Sequence, residues 1–176
     1  IGLANGLENF VAVAHAAQQV SMQIHFLLCG EGAMLQEIRS QVKLLNLRNF
    51  TIVPFQNRDG VRKVLNVTDA IFISYKPFPI LETGSPNKYF DGLAAGKLVI
   101  VNFGGWIREE IEARQCGIHI RVDEPSDFVA QMLPFLQDRG MLQRYQQNAR
   151  TLAEEKYSRQ ILSEKFVKII HETTML

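Results

Sequence analysis

Cysteine is scarce in this chain of 176 residues, which contains only Cys29 and Cys116. Two cysteines cannot form a disulfide framework, and both lie in apolar stretches, so we expect buried thiols in a reducing compartment. An excess of charge of one sign is also lacking, because 19 basic side chains are balanced by 18 acidic ones. Without a clustered basic face, a nucleic-acid partner is not indicated.

Long hydrophobic runs are missing as well, since no apolar stretch approaches the ~18 residues of a membrane span. No stretch at the start of the chain has the pattern of a signal peptide. The first residue is Ile1 and not methionine, and we interpret the chain as a piece of a longer protein.

Short apolar runs alternate with stretches of helical periodicity over the first 120 residues. The predicted strands are residues 24–28, 50–53, 70–74, 98–101 and 118–120. These runs are continuously apolar, which is typical of parallel strands covered by helices on both faces. The pattern predicts an α/β fold, with a Rossmann-like doubly wound parallel sheet of about five or six strands.

Three additional C-terminal helices are predicted over residues 125–137, 141–155 and 158–170, with no strand between them. Their apolar faces consist of Phe128, Met132 and Phe135, of Leu142, Tyr145, Ala149 and Leu152, and of Leu162, Phe166 and Ile169. No linker or low-complexity tract divides the chain, so residues 1–176 are interpreted as one domain.

Ligands of open α/β sheets bind outside the carboxyl ends of the strands, and the longest loop there is residues 75–88. At its end, Ser85 is predicted as the N-cap and Pro86 as the first residue of a helix. Free N–H groups, the helix dipole and Lys88 together suit a phosphate. The alternative is that these residues merely start a helix.

Further along the same helix, Asp91 lies one turn after Lys88, and Gly96 is the predicted C′ residue. The Asp91 carboxylate could accept hydrogen bonds from two ribose hydroxyls. The alternative, favoured by physics alone, is an exposed ion pair with Lys88. Trp106 follows two glycines near the same edge, where it contacts either the ligand or the core.

Other chemistries have little support in the sequence. The four histidines lie far apart, so no metal site is predicted. The Gly-x-Ser-x-Gly motif of serine hydrolases is absent. Residues 30–32 are too short for a dinucleotide fingerprint and are interpreted as a tight turn between a strand and a helix.

Residues 84–97, GSPNKYFDGLAAGK, resemble the donor-site helix of retaining GT-B glycosyltransferases of the group 1 (GT4-like) family. More narrowly, they resemble the bacterial branch that builds surface polysaccharides and transfers N-acetylated amino sugars such as N-acetylfucosamine. Residues 1–8 are similar to the family's segment after the first donor-domain strand, and residues 28–32 to its Gly-x-Gly turn. Residues 102–106 are similar to its loop before the next helix.

The resemblance implies a nucleotide-sugar donor, expected to be a UDP-sugar, with no further cofactor and no metal. The donor would lie between this C-terminal half of the GT-B fold and an N-terminal acceptor domain absent from the chain. The residues that the resemblance assigns to the donor are Gly32, Phe55, Gly84, Ser85, Lys88 and Asp91. Lys88 and Glu82 are the catalytic candidates.

Two positions depart from the family pattern. Thr83 stands where the family has the first glutamate of its motif, and Glu82 beside it is the replacement candidate. Asn5 stands where a lysine is common, so one phosphate-binding charge is missing or supplied elsewhere.

The implied acceptor is a glycan or a lipid-linked glycan. The full-length protein is expected in the cytoplasm or, by peripheral association, at the inner face of the plasma membrane. Two alternatives stay open: a UDP-sugar epimerase of related architecture, and a non-catalytic nucleotide-binding module.

Overall fold

The computed structural model of the chain describes residues 1–174, in which parallel strands alternate with helices. The strands are β1 (Phe26–Cys29), β2 (Phe50–Val53), β3 (Ala70–Ile73), β4 (Leu98–Val101) and β5 (Gly117–His119). After a 3-10 turn at Leu3–Asn5, the helices are α1 (Leu7–Gln19), α2 (Leu35–Leu44), α3 (Arg58–Asn66), α4 (Pro79–Glu82), α5 (Asn87–Ala94), α6 (Trp106–Ala113), α7 (Pro125–Gln137), α8 (Arg139–Lys156) and α9 (Arg159–Thr174).

The five strands form two hydrogen-bonded sheets, with β1 beside β2 and β3 beside β4 beside β5. Every pairing is parallel; Phe26 lies opposite Phe50, and Ala70 lies opposite Leu98. The predicted α/β class and strand positions are confirmed. The division into two sheets was not predicted, because an apolar run indicates that a strand is buried and not which strand lies beside it.

A ring cluster around Phe10 of α1 joins the two sheets into one core. The centroid of the Phe10 ring lies 5.3 Å from that of Phe26 and 5.4 Å from that of Phe50. On the other sheet, Phe72 of β3 lies 5.2 Å from the same ring. Helix α1 therefore covers both sheets, although β1 and β3 share no ladder.

Helix α5 packs closely on β3 because of a glycine. A Cβ added at Gly92 would lie 2.5 Å from Cγ2 of Ile71. The helix ends at Gly96, whose φ of +60° is left-handed as predicted for a C′ residue. The Gly96 N–H is donated to the Leu93 carbonyl at 2.9 Å, and the Lys97 N–H to the Gly92 carbonyl at 3.0 Å.

A buried carboxylate ties α5, α6 and the end of α8 together. Glu110 Oε2 accepts hydrogen bonds from the hydroxyls of Tyr89 and Tyr157, each at 2.5 Å. Its other oxygen accepts from the Lys156 ammonium. The Glu110 side chain is 11% exposed, so this junction is an internal part of the fold.

The C-terminal helices are confirmed, but they do not all contribute to the core. The predicted faces of α7 and α8 are buried or half-buried. On α9, by contrast, Leu162, Phe166 and Ile169 are 48%, 64% and 60% exposed. Helix α9 therefore presents its apolar face outside the core.

Candidate functional site

The loops after β3 and β4 are fastened together at the carboxyl edge of their sheet. Asn102 Oδ1 accepts from the Tyr75 N–H at 2.9 Å, and its Nδ2 donates to the Tyr75 carbonyl at 2.8 Å. Trp106 Nε1 donates to the Gly84 carbonyl at 3.0 Å. Of the two roles considered for Trp106, the structure shows the contact with the core, because its ring packs against the buried cluster that contains Tyr89.

Helix α5 begins at Asn87, and Pro86 is its N-cap with φ −74° and ψ 133°. The prediction that Ser85 caps this helix and that Pro86 is its first residue is therefore wrong by one position. The proline ring fixes φ and leaves ψ open, so its sequence position fits both roles. Ser85 is exposed, and its side chain has no hydrogen bond to any residue of 1–174.

The start of α5 leaves donors free for a ligand. The Gly84 N–H is already donated to the Leu81 carbonyl at 3.2 Å. The N–H groups of Asn87 and Lys88, in the first turn, have no acceptor within an α-helix. Because no side chain caps this end, an anion is the natural partner of these donors.

Lys88 lies beside Asn5 in the segment before α1. Its ammonium donates a long hydrogen bond of 3.5 Å to Asn5 Oδ1. The side chain retains solvent access, yet the protein atoms around it lower the pKa of the ammonium through desolvation. A negatively charged ligand at this position would stabilise the charged form.

Asp91 is exposed on the same helix and forms no ion pair with any side chain in the described part of the chain. The exposed Lys88–Asp91 pair, which physics alone favoured, is therefore absent. The lysine turns towards Asn5 and leaves the carboxylate available. Both oxygens of Asp91 can accept hydrogen bonds from a ligand.

The N-terminus of α1 reaches the same edge through Gly6. This residue is the N-cap, has a left-handed φ of +53° and has no side-chain capping bond. The buried Ser74 hydroxyl donates to the Gly6 carbonyl at 3.1 Å. A Cβ at Gly6 would lie 3.1 Å from the carbonyl carbon of Tyr75, so a side chain here would push the two loops apart.

Glu82 lies at the end of α4, against the two glycines that precede α6. A Cβ added at Gly104 would lie 3.2 Å from Glu82 Oε2. Gly105 has a left-handed φ of +79° and packs its α-carbon against the Glu82 backbone. The neighbouring Thr83 hydroxyl donates to the Ile80 carbonyl at 2.8 Å, so of the two it is the glutamate whose polar atoms remain available.

Phe55 and Gly32 belong to the loops that follow β2 and β1. The Phe55 ring is 63% exposed. Gly32 has φ +146°, and a Cβ there would overlap the Ile1 carbonyl. Gly30 also has a positive φ, of +132°, so the segment forms the tight turn that its sequence predicts.

A cavity of about 540 Å³ lies elsewhere, beside the outer edge of β5. Its two arginines are already paired: Arg108 with Glu112 at 2.9 Å, and Arg121 with Glu124 at 2.8 Å. Burial lowers the pKa of His119, which also lines this cavity. The charges there cancel locally, so the carboxyl edge is the better candidate for an anionic ligand.

A profile of the family "Glycosyl transferases group 1" matches residues 3–152. This chain belongs to that family. A search of curated proteins gave no match.

Several solved structures share the fold of this group 1 chain. The Anabaena protein HepE, in complex with UDP, has a TM-score of 0.81 at 14% identity, over 97% of this chain and 46% of its own. A TarM mutant of S. aureus, in complex with UDP and other ligands, gives 0.80 at 17% identity, over 96% and 33%. Sucrose-phosphate synthase of Thermosynechococcus elongatus gives 0.77 at 15% identity, over 99% and 43%. The chain thus spans between a third and a half of the length of these proteins.

The sequence analysis missed one basic residue of the site in this group 1 chain. Lys76 directly follows the loop residue Tyr75, and its N–H is donated to the Ala4 carbonyl at 3.0 Å. Its ammonium lies 3.9 Å from Glu8 Oε1 on the first turn of α1. The sequence signal was a lysine two residues after the serine that ends a predicted strand, within the long loop of residues 75–88.

The remaining polar candidates have structural partners. His25 is hydrogen-bonded to Thr51 Oγ1 at 2.8 Å, and His15 to Gln19 at 2.9 Å. Cys116 is buried, whereas Cys29 is half-buried, so the expectation of two buried thiols holds fully for one.

Within residues 1–174, no group of three histidine, cysteine or acidic side chains is arranged to hold a metal ion. Over the same residues, no helix is both long and apolar enough to cross a membrane.

Proposed function

We propose that this chain is the donor-binding half of a retaining glycosyltransferase that transfers a sugar from a UDP-sugar. The acceptor would be a glycan or a lipid-linked glycan in surface polysaccharide synthesis, held by a further, N-terminal domain. As the finer assignment, we propose a donor with an N-acetylated amino sugar such as N-acetylfucosamine. The resemblance of residues 84–97 to that branch supports the last point.

The main support for this proposal is the arrangement of two helix N-termini beside Lys88. The uncapped N-termini of α1 and α5 lie at the same edge of a group 1 glycosyltransferase domain, joined by the hydrogen bond from Lys88 to Asn5. Two helix N-termini and an ammonium form a site suited to a diphosphate. The UDP present in the structures of HepE and TarM, which share the fold, supports the choice of nucleotide.

The residues then take distinct roles. Lys88 and the N–H groups at the start of α5 neutralise the diphosphate as the bond to the sugar breaks, which is how such folds accelerate transfer. Ser85 adds a hydroxyl donor, and Asp91 accepts from the ribose hydroxyls. Glu82, against the glycines before α6, faces the sugar as the second catalytic residue.

The outer loops complete the donor site in this proposal. Phe55, on the loop after β2, contacts the base. Gly84 and Gly32 let the backbone approach the ligand where a side chain would not fit. The acceptor-binding domain is needed for transfer, so the chain alone binds the nucleotide without turning it over.

The test is a calorimetric and saturation-transfer NMR titration with UDP, GDP, ADP and NAD. Ser85→Ala/Lys88→Ala is compared with wild type, and Ser40→Ala/Lys43→Ala on α2 is the matched control. Removing a charge-assisted phosphate contact is expected to weaken UDP binding about tenfold to a hundredfold. The control pair lies in the second half of α2, near the opposite edge of the sheet, and should bind as wild type does.

The outcomes separate the possibilities. UDP binding that only the site double variant loses supports the proposal. Selective binding of GDP keeps the site and replaces the nucleotide. Binding of NAD alone, or of no nucleotide by the wild-type chain, contradicts the donor-binding role.

A further inference from the structure

We propose that Lys76 is a second cation that binds the diphosphate, beside the same segment Ala4–Gly6 that Lys88 contacts. This inference rests on the proposed function, because it concerns the same nucleotide. A diphosphate carries more than one negative charge, whereas the start of α5 contributes a single lysine, which is solvent-accessible but whose pKa is lowered by desolvation from the protein atoms around it. One ammonium leaves part of the ligand charge uncompensated.

The backbone brings Lys76 to the place where that charge would lie. The Lys76 N–H is donated to the Ala4 carbonyl at 3.0 Å. A Cβ added at Gly6 would lie 3.2 Å from the Lys76 nitrogen. Since Lys88 contacts Asn5 at 3.5 Å, both lysines are held against the same three residues, which lead directly into α1.

The ammonium of Lys76 is available to a ligand. It lies 3.9 Å from Glu8 Oε1, which is beyond hydrogen-bond distance, and the two side chains are 33% and 43% exposed. Such a loosely paired, partly exposed ion pair contributes little to stability. A phosphate at the uncapped N-terminus of α1 would therefore draw the ammonium away at small cost.

Other basic residues near this edge fit the role less well. Arg108 is paired with Glu112 at 2.9 Å. Arg58 is the first residue of α3 and follows β2, which belongs to the other sheet from β3 and Lys76. Lys76 is thus the basic residue that combines proximity to Gly6 with a loosely held charge.

Glu8, the partner of Lys76, allows a second test of this inference. Its carboxylate lies in the first turn of α1, where it interacts favourably with the helix dipole but would repel a phosphate. Lys76 offsets that repulsion by pairing with it. Removing the lysine should therefore weaken diphosphate binding, and removing the carboxylate should strengthen it.

The experiment measures the dissociation constant of UDP by calorimetry for wild type and four variants. Lys76→Gln removes the charge, Lys76→Arg keeps it, and Glu8→Gln removes the opposing carboxylate. Lys43→Gln on α2 is the matched control. We expect about tenfold weaker binding for K76Q, near-wild-type binding for K76R and K43Q, and several-fold tighter binding for E8Q.

Each result has a defined meaning. Thermal unfolding of K76Q at the wild-type temperature excludes a folding defect as the cause of weaker binding. Equal UDP affinity of K76Q and wild type overturns the role of Lys76 while leaving the proposed function intact. Absence of UDP binding by wild type overturns the proposed function itself and this inference with it.

Discussion

The carboxylate of Glu110 is largely buried, yet it is surrounded by groups that favour its charge. Burial alone would raise its pKa, but hydrogen bonds from Lys156, Tyr157 and Tyr89 outweigh burial and lower the pKa below its usual value. A carboxyl group with a lower pKa in the folded chain than in the unfolded one stabilises the fold when ionised. That contribution is present above the ordinary glutamate pKa of about 4.3 and is lost as the pH falls through the folded-state pKa.

Glu110→Gln should therefore lower stability most at neutral pH and least in acid. We expect a loss of about 1–3 kcal/mol at pH 7, because one buried hydroxyl, one half-buried hydroxyl and an ammonium lose a charged acceptor. The difference from wild type should shrink as the pH falls below about 4.3, because the carboxyl becomes protonated first in the unfolded chain and, at lower pH, in the folded chain. Urea unfolding over a pH series measures it.

The neighbouring Glu109 is the control for this prediction. It is exposed on the same helix and has no ion pair within residues 1–174. Glu109→Gln should change stability by less than about 0.5 kcal/mol. An acid dependence of E110Q identical to that of wild type would contradict the argument.

Among the elements, α5 is defined by the conformations of the residues at its two ends. At the C-terminal end, Gly96 is left-handed and closes two backbone hydrogen bonds, as its sequence position predicts. At the N-terminal end, Pro86 is extended and the helix has no side-chain cap. The C-terminal end of α5 is thus fixed by Gly96, whereas its N-terminal end has no side-chain cap. That uncapped end lies at the proposed ligand site.

Gly96→Ala should destabilise the chain by about 1–2 kcal/mol, the cost of a left-handed conformation for a residue with a Cβ. Gly96→Asn should cost less, because asparagine tolerates this conformation. Thermal or urea unfolding of the two variants provides the comparison. Equal losses for both would mean that space beside Arg150, whose Cβ lies 3.6 Å from an added Cβ, matters more than backbone conformation.

The positions of the strands and the C-terminal end of α5 could be predicted because each depends on local sequence. A buried strand is continuously apolar, and a glycine can adopt the left-handed conformation that ends a helix. Leu98–Val101 is continuously apolar and is fully or almost fully buried. The sequence analysis placed the start of α5 one residue too early, because the ψ angle of Pro86 is set by the surrounding loops. The short helix α4 within the long loop was missed for a related reason, as four residues carry no periodicity.

At the scale of the whole molecule, the contacts between distant segments were beyond the sequence. Lys76 and Gly6 are 70 positions apart, and only the folded chain brings them together. The absence of a ladder between β1 and β3 is likewise a tertiary property. The candidate site could be located at a sheet edge from the sequence, whereas its second lysine could not.

The apolar face of α9 should make the chain associate with itself as concentration rises. Phe166 is 64% exposed on this helix, and exposed apolar patches favour association. Phe166→Ser should lower the weight-average mass at high concentration, measured by sedimentation. Lys165→Ser, one residue away and also exposed, is the control, and equal masses for both variants would contradict the prediction.

Trp106 is the single tryptophan of the chain, and its indole N–H is bound to the Gly84 carbonyl. Its ring meets that of Tyr89 edge to face, with 5.4 Å between centroids. The fluorescence of an indole depends on its hydrogen bond and its neighbours, and here these belong to the loop and the helix of the proposed donor site. If the proposed site binds a nucleotide, this indole would report the binding optically, with no second tryptophan to dilute the signal.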